Sequence, residues 1–204
     1  MVRLAALAVM LMSADPGAEP SWQKASEQDG VTVFARQKAG TDLTELMGQG
    51  TIDASPQAVM AMVFDYDAYP KTMPYIEACK VLSRESEGKV LYVYNRVAAP
   101  LVAKRDYVLK VSDASDWQDG RGYLKMAWTS AGGRGPSPAP GVVRVTTSDG
   151  YWKLEPRDGG KRTFATYYLF ADPGGSIPRF IVDQANTSAV PDIFRAVRRA
   201  TAKK

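Results

Sequence analysis

The sequence predicts an α+β domain in which a curved antiparallel sheet carries a long C-terminal helix. Three observations predict it. After one short, capped helix, the middle of the chain reads as a run of strands separated by Gly, Asp and Ser turns. The last segment places apolar residues at helical spacing. The helices bracket the strands instead of alternating with them, so they should gather on one face of an antiparallel sheet. A twisted sheet of this many strands curls. A curled sheet closed by a long helix leaves a gap under the helix.

Before the domain, residues 1–18 read as a secretory leader. Arg3 and the α-amino group make a thin positive region, and residues 4–12 form a nine-residue apolar run, too short to span a bilayer. Ser13, Ala14 and Ala18 supply small residues, although Met12 suits a cut after Ala14 poorly. A periplasmic or secreted location follows. A packed N-terminal segment of a cytoplasmic protein is the alternative. The folded domain is expected over residues 22–204.

Within it, "SWQKASEQDG" is a polar lead-in ending in a turn, and Val31–Gln37 alternates as a strand. In the second strand, "DLTELMGQGTI", Gly48 and Gly50 suggest a bend or bulge. "DASPQAVMAMVFDYDAYPKTMP" is the first helix, with Ser55 as N-cap and Pro56 at its first position. Val59, Met62 and Val63 form its apolar stripe. Asp65 and Asp67 follow it and read as capping or solvated residues. Strands are then expected over 76–83, 90–97, 104–111, 122–130, 141–147 running on through 152–154, and 162–170. "SAGGRGPSPAPG" reads as a flexible loop. The last helix begins near Ile177. Phe180, Ile181, Gln184, Ala185, Ser188 and Ala189 share one face, Pro191 should kink it, and Ile193, Phe194 and Val197 continue the stripe. Arg195, Arg198 and Arg199 suit the C-terminal end of its dipole and read as a solvated face.

Composition narrows the function. The 204 residues are 45% hydrophobic and 24% charged, enough for one domain with a sizeable core. The net charge of +4 comes from scattered basic residues, which does not make a nucleic-acid footprint. One cysteine, Cys79, allows no internal disulfide and reads as a small packed hydrophobe. There is no histidine, so Ser-His-Asp and Cys-His mechanisms are excluded and the commonest zinc ligand is missing. No cofactor or metal is expected.

Strand alternation nominates inward residues. With Asp106 and Lys110 facing water, Arg105, Tyr107, Leu109 and Val111 face in. Lys125 outward turns Leu124, Met126 and Trp128 inward, and Lys153 outward turns Trp152 and Leu154 inward. Around residue 90 both strand faces are apolar, so Tyr92 and Tyr94 are candidates only, and Arg96 suits either face. Each apolar residue also reads as plain core packing. Arg105, if inward, must meet an acid, backbone carbonyls or a ligand headgroup.

Three stretches, in this order, resemble the START family of lipid-transfer domains. "APLVAKRDYV" (99–108) is similar to its proline loop and Arg-Asp-aromatic strand, "GYWKLEP" (150–156) to its aromatic strand, and "ADPGGSIPRFIVDQ" (171–184) to its lid-helix start. The short N-terminal helical region and the loop at 130–141 depart from the pattern. The resemblance implies a helix-grip fold and an apolar tunnel holding one sterol, phospholipid or isoprenoid. It implies a non-enzymatic monomer that touches membrane surfaces transiently. The expected ligand-binding residues are Tyr92, Tyr94, Arg105, Tyr107, Leu109, Met126, Trp128, Trp152, Phe180, Ile181, Gln184 and Ser188. Pro100, Leu101, Gly174 and Gly175 are the expected gate. The alternatives are a polyketide cyclase or aromatase on the same scaffold, with Arg105 and a tyrosine as its chemistry, and a partner-binding module.

Overall fold

The computed structural model describes residues 21–100, 102–175, 177 and 179–202, with side chains for all of these except 179–187. The expected leader and Leu101 lie outside the described residues, as do the side chains of Phe180, Ile181 and Gln184.

Eleven strands form among the described residues. They are β1 (Gln23–Gln28), β2 (Val31–Gln37), β3 (Thr44–Ile52), β4 (Ile76–Glu85), β5 (Val90–Val97), β6 (Arg105–Asp113), β7 (Asp116–Gln118), β8 (Arg121–Ser130), β9 (Val143–Arg144), β10 (Thr147–Arg157) and β11 (Arg162–Asp172). The sheet order is β1-β2-β3-β11-β10-β8-β6-β5-β4, with β7 beside β8 and β9 beside β6. Every pairing is antiparallel except β9 with β6. The helices are α1 (Pro56–Phe64), α2 (Tyr69–Thr72) and α3 (Arg179–Thr201). The α+β class read from the sequence is the observed one.

Local chemistry explains most boundaries. Ser55 is extended, and its Oγ accepts a hydrogen bond from the Ala58 N–H at 3.3 Å, capping α1 as expected. Val59, Met62 and Val63 are buried. The Asp65 N–H donates to Met62 O at 3.2 Å at the end of α1, but its side chain makes no capping hydrogen bond, whereas Asp67 pairs with Arg84 at 3.1 Å on the surface. Asp29 and Gly30 both have positive φ and turn the chain into β2. The polar lead-in is itself a strand, β1, paired with β2. Its residues are mostly exposed, so no apolar alternation marked it. The expected strand at 141–154 is divided: only Val143 and Arg144 pair with β6, and β10 begins at Thr147.

The loop expected to be flexible is pinned to the outer face of β6. The Ala131 N–H donates to Val108 O at 2.8 Å, and the Val145 N–H to Asp106 O at 2.9 Å. Arg144 grips both Asp106 carboxylate oxygens, at 2.6 and 3.0 Å, and donates to Pro136 O at 2.8 Å. Asp106, expected to face water, is therefore wholly buried beneath this loop. The alternation placed it on the correct face, but that face is covered.

The helix α3 lies directly on β3. A Cβ at Gly48 would overlap Val190 Cγ1 and crowd the Phe194 ring. Gly48 and Gly50 carry no bulge, since β3 keeps register with both neighbours. At Gly48 the absent side chain admits the helix. Phe194 then packs on Trp152 with ring centroids 5.1 Å apart. Arg198 donates to Thr51 O and Asp29 O, and Arg195 pairs with Asp29 at 2.6 Å. These two arginines clamp the helix to the β1–β2 turn and to β3 instead of forming a solvated face. Arg199 is exposed.

Two outcomes follow. Gly48→Val should destabilise the protein by about 1–3 kcal/mol through overpacking, seen as a Tm loss of several degrees. The second concerns acid. Hydrogen bonds from Arg144 hold the Asp106 carboxyl below its ordinary pKa, against the opposing effect of burial. A lowered folded-state pKa contributes stability above the ordinary carboxylate range and loses it as pH falls below about 4. Asp106→Asn should cost about 3 kcal/mol at pH 7 by leaving Arg144 unpaired. It should also flatten the acid limb of a urea-midpoint profile. An unchanged acid limb would remove Asp106 from that account.

Candidate functional site

A cavity of about 150 Å³ lies between the concave face of the sheet, the α1–α2 region and α3. Its floor is built in rows. Cys79 on β4, Asn95 on β5 and Tyr107 on β6 are directly opposite one another. Met126 on β8, Trp152 on β10 and Tyr167 on β11 form another row, which ends at Gly48. Leu109, Trp128, Ser148 and Leu169 fill the floor between them. Tyr66, Tyr69, Met73, Pro74 and Ile76 form the wall leading from α1 to β4, and Ile193 closes it from α3.

Five residues nominated from the alternation line this space: Tyr107, Leu109, Met126, Trp128 and Trp152. Tyr92 and Tyr94 do not. They point to the outer face, because the inward parity of β5 belongs to Leu91, Val93 and Asn95. Tyr92 lies under Arg134, whose guanidinium is 4.0 Å from the ring centroid, and Tyr94 donates to Asp106 at 3.3 Å. Arg96 pairs with Glu77 at 2.8 Å, also outside. Ser188 is half-buried and is not among the described lining residues.

Arg105 is also absent from the described lining. Its Nε donates to Pro173 O at 3.1 Å and its Nη1 to Ala103 O. It therefore meets backbone carbonyls, one of the partners open to an inward arginine, and ties the loop before β6 to the turn before α3. In that turn Gly174 and Gly175 both have φ near +64°, and the Gly174 N–H donates to Asp172 Oδ1 at 2.9 Å. The left-handed backbone there favours glycine.

The site is aromatic and uncharged. Trp152 and Trp128 flank Tyr167, with centroids 4.9 and 5.7 Å from it, and Tyr66 lies 4.3 Å from Tyr69. No Asp, Glu, Lys or Arg lines the cavity among the described residues. Burial raises the pKa of the Tyr66, Tyr69, Tyr107 and Tyr167 hydroxyls, so they stay protonated at neutral pH. Burial likewise pushes the Cys79 thiol up to about 12. Asn95 is 1% exposed, and its side-chain oxygen has no hydrogen-bond partner.

Sequence reasoning missed Tyr66, Tyr69, Asn95, Ser148 and Tyr167. Tyr167 stood in a strand whose two faces are both apolar. Tyr66 and Tyr69 follow the helix in an irregular segment without periodicity. Asn95 carried a usable signal, since a polar residue on the inward parity of an apolar strand is anomalous.

Residues 52–198 match the family model described as polyketide cyclase/dehydrase and lipid transport. Rat phosphatidylcholine transfer protein is 28% identical over 182 residues, covering 88% of this chain and 83% of that protein. A STAR-related lipid transfer protein from Xanthomonas axonopodis superposes with a TM-score of 0.77 at 26% identity, over 89% of this chain and 98% of that one. Human StAR-related lipid transfer protein 5 superposes with a TM-score of 0.75 at 18% identity, over 89% and 86%. Sheet order, cavity and family match agree: the chain belongs to the polyketide cyclase/dehydrase and lipid transport family, with the helix-grip fold of START domains.

Proposed function

We propose that the chain binds one hydrophobic guest in this cavity and carries it through water without chemical change. The observation that carries this reading is the lining: among the described residues it is mostly aromatic and aliphatic, without charge, and roofed in part by a terminal helix. Removing ~400 Å² of apolar guest surface from water would contribute on the order of 10 kcal/mol before ordering costs. The cavity of about 150 Å³ is far too small to enclose a guest with that much surface. A cavity of ~150 Å³ holds a benzene-sized guest. Loading a lipid therefore requires the roof to lift. We assign that movement to the turn at Gly174 and Gly175 and to the loop containing Pro100, with Arg105 as the tie between them. Export by the leader, a monomeric state and brief contact with a membrane surface complete the proposal.

A cyclase reading is less well supported. Of the groups the sequence offered for it, Tyr107 lines the cavity, but Arg105, Tyr92 and Tyr94 are not gathered there with it. The buried tyrosines, with raised pKa values, are weak acids for steering an enolate.

Native mass spectrometry of the protein from its own host should show a mass increment of one lipid-like molecule per chain, recoverable by solvent extraction. Loading should shift the tryptophan emission, and the shift should shrink in Trp152→Phe and Trp128→Phe. A protein that neither carries nor takes up a hydrophobic molecule would end the carrier reading. Arg105→Ala should speed exchange of a preloaded fluorescent lipid into acceptor vesicles several-fold with little change in Tm. An unchanged exchange rate would take Arg105 out of the gate.

A further inference from the structure

The polar chemistry inside the cavity goes further than the carrier reading, on which this inference rests. Asn95 lies on the inward face of β5, 1% exposed, with the side-chain oxygen unpartnered. An apolar residue of similar size would avoid the cost of a buried polar group left without a partner. The neighbours in its row do not meet it. Cys79 faces it from β4 with a protonated thiol, and Tyr107 faces it from β6. The row lies one inward register step from Val97 and Arg105, next to the loop and turn that Arg105 ties together. The deeper rows, at Leu109, Trp128 and Trp152, are apolar or aromatic.

The charge distribution sets a second limit. A phosphate or carboxylate drawn into this space would meet no cation among the described lining residues. Burying an anion without a partner is prohibitive. The nearby cations are engaged elsewhere: Arg105 with two carbonyls, Arg96 with Glu77, and Arg144 with Asp106. Among the described lining residues, the similarity to a phosphatidylcholine transfer protein does not extend to a phosphate site.

We propose that Asn95 is the polar anchor of the cavity and that the guest is an uncharged amphiphile whose single hydroxyl donates a hydrogen bond to the Asn95 side-chain oxygen. The apolar body of the guest occupies the space toward Trp128 and Trp152. Asn95 thereby selects against saturated hydrocarbon, which leaves the oxygen unmet, and the described lining, which holds no cation, selects against fatty-acid anions and phospholipids.

The test is displacement of N-phenyl-1-naphthylamine, an uncharged fluorescent probe, from the full chain. The competitors are 1-hexadecanol, hexadecane, palmitate at pH 8 and phosphatidylcholine vesicles. Hexadecanol should compete at least about tenfold better than hexadecane, the lower range expected when a buried acceptor is met or left unmet. Palmitate and phosphatidylcholine should compete more weakly than hexadecanol. In Asn95→Leu the preference for alcohol over alkane should vanish while alkane affinity holds or rises. The wild-type comparison stands even if that variant folds poorly. Equal competition by alcohol and alkane, or stronger competition by palmitate or phosphatidylcholine, overturns the Asn95 assignment and leaves the carrier reading in place. No binding of the dye or of any competitor overturns both.

Discussion

The architecture depends on how closely α3 can approach the sheet. At Gly48 the strand presents bare backbone, and Val190 and Phe194 settle into that space. The contact fixes the C-terminal half of the helix over β3 and against Trp152. Arg195 and Arg198 then fasten the same half to Asp29 and Thr51. The helix is thus anchored at one side of a concave surface wider than it can cover. The remaining concave area, from Asn95 to Tyr167, borders the cavity. A helix seated centrally would have filled the space with side chains.

Charge is partitioned between the two faces of the sheet. The outer face holds paired groups: Asp106 with Arg144, Glu77 with Arg96 and Lys104, and wholly buried Glu45 with Arg36, Lys38 and Tyr168. Burial opposes ionisation of Glu45, but its hydrogen bonds from Tyr168, Arg36 and Lys38 outweigh that effect and leave its pKa lowered. Among the described residues, the inner face bordering the cavity carries hydroxyls, one amide, aromatic rings and aliphatic side chains. This division gives the space a low dielectric, in which a single unmet hydrogen-bonding group matters and an unpaired charge would be excluded.

The candidate site was legible where alternation was unambiguous. Lysines at 125 and 153 marked the outer face of their strands, and Met126, Trp128 and Trp152 were placed correctly on the opposite one. On β5 both parities are rich in apolar and aromatic residues, so Tyr92 and Tyr94 attracted attention that belonged to Asn95. On β6 the carboxylate of Asp106 suggested solvent, because the loop that buries it comes from a segment nearly forty residues later in the chain. Tyr66 and Tyr69 lie in a break between helices, where no period exists to read.

What the sequence by itself determined is the set of local choices: the Ser55-Pro56 helix start, the Asp29-Gly30 turn, the alternating strands, the long terminal helix and the lack of any histidine for catalysis. Each is governed by residues a few positions apart, so each leaves a local mark. Only the tertiary structure decided which glycine receives a helix, which arginines become clamps, which face of β6 is roofed, and that Asn95 lines the cavity with its side-chain oxygen unpartnered. Those outcomes depend on groups brought together from distant parts of the chain, and their energies arise only when the sheet curls and α3 closes upon it.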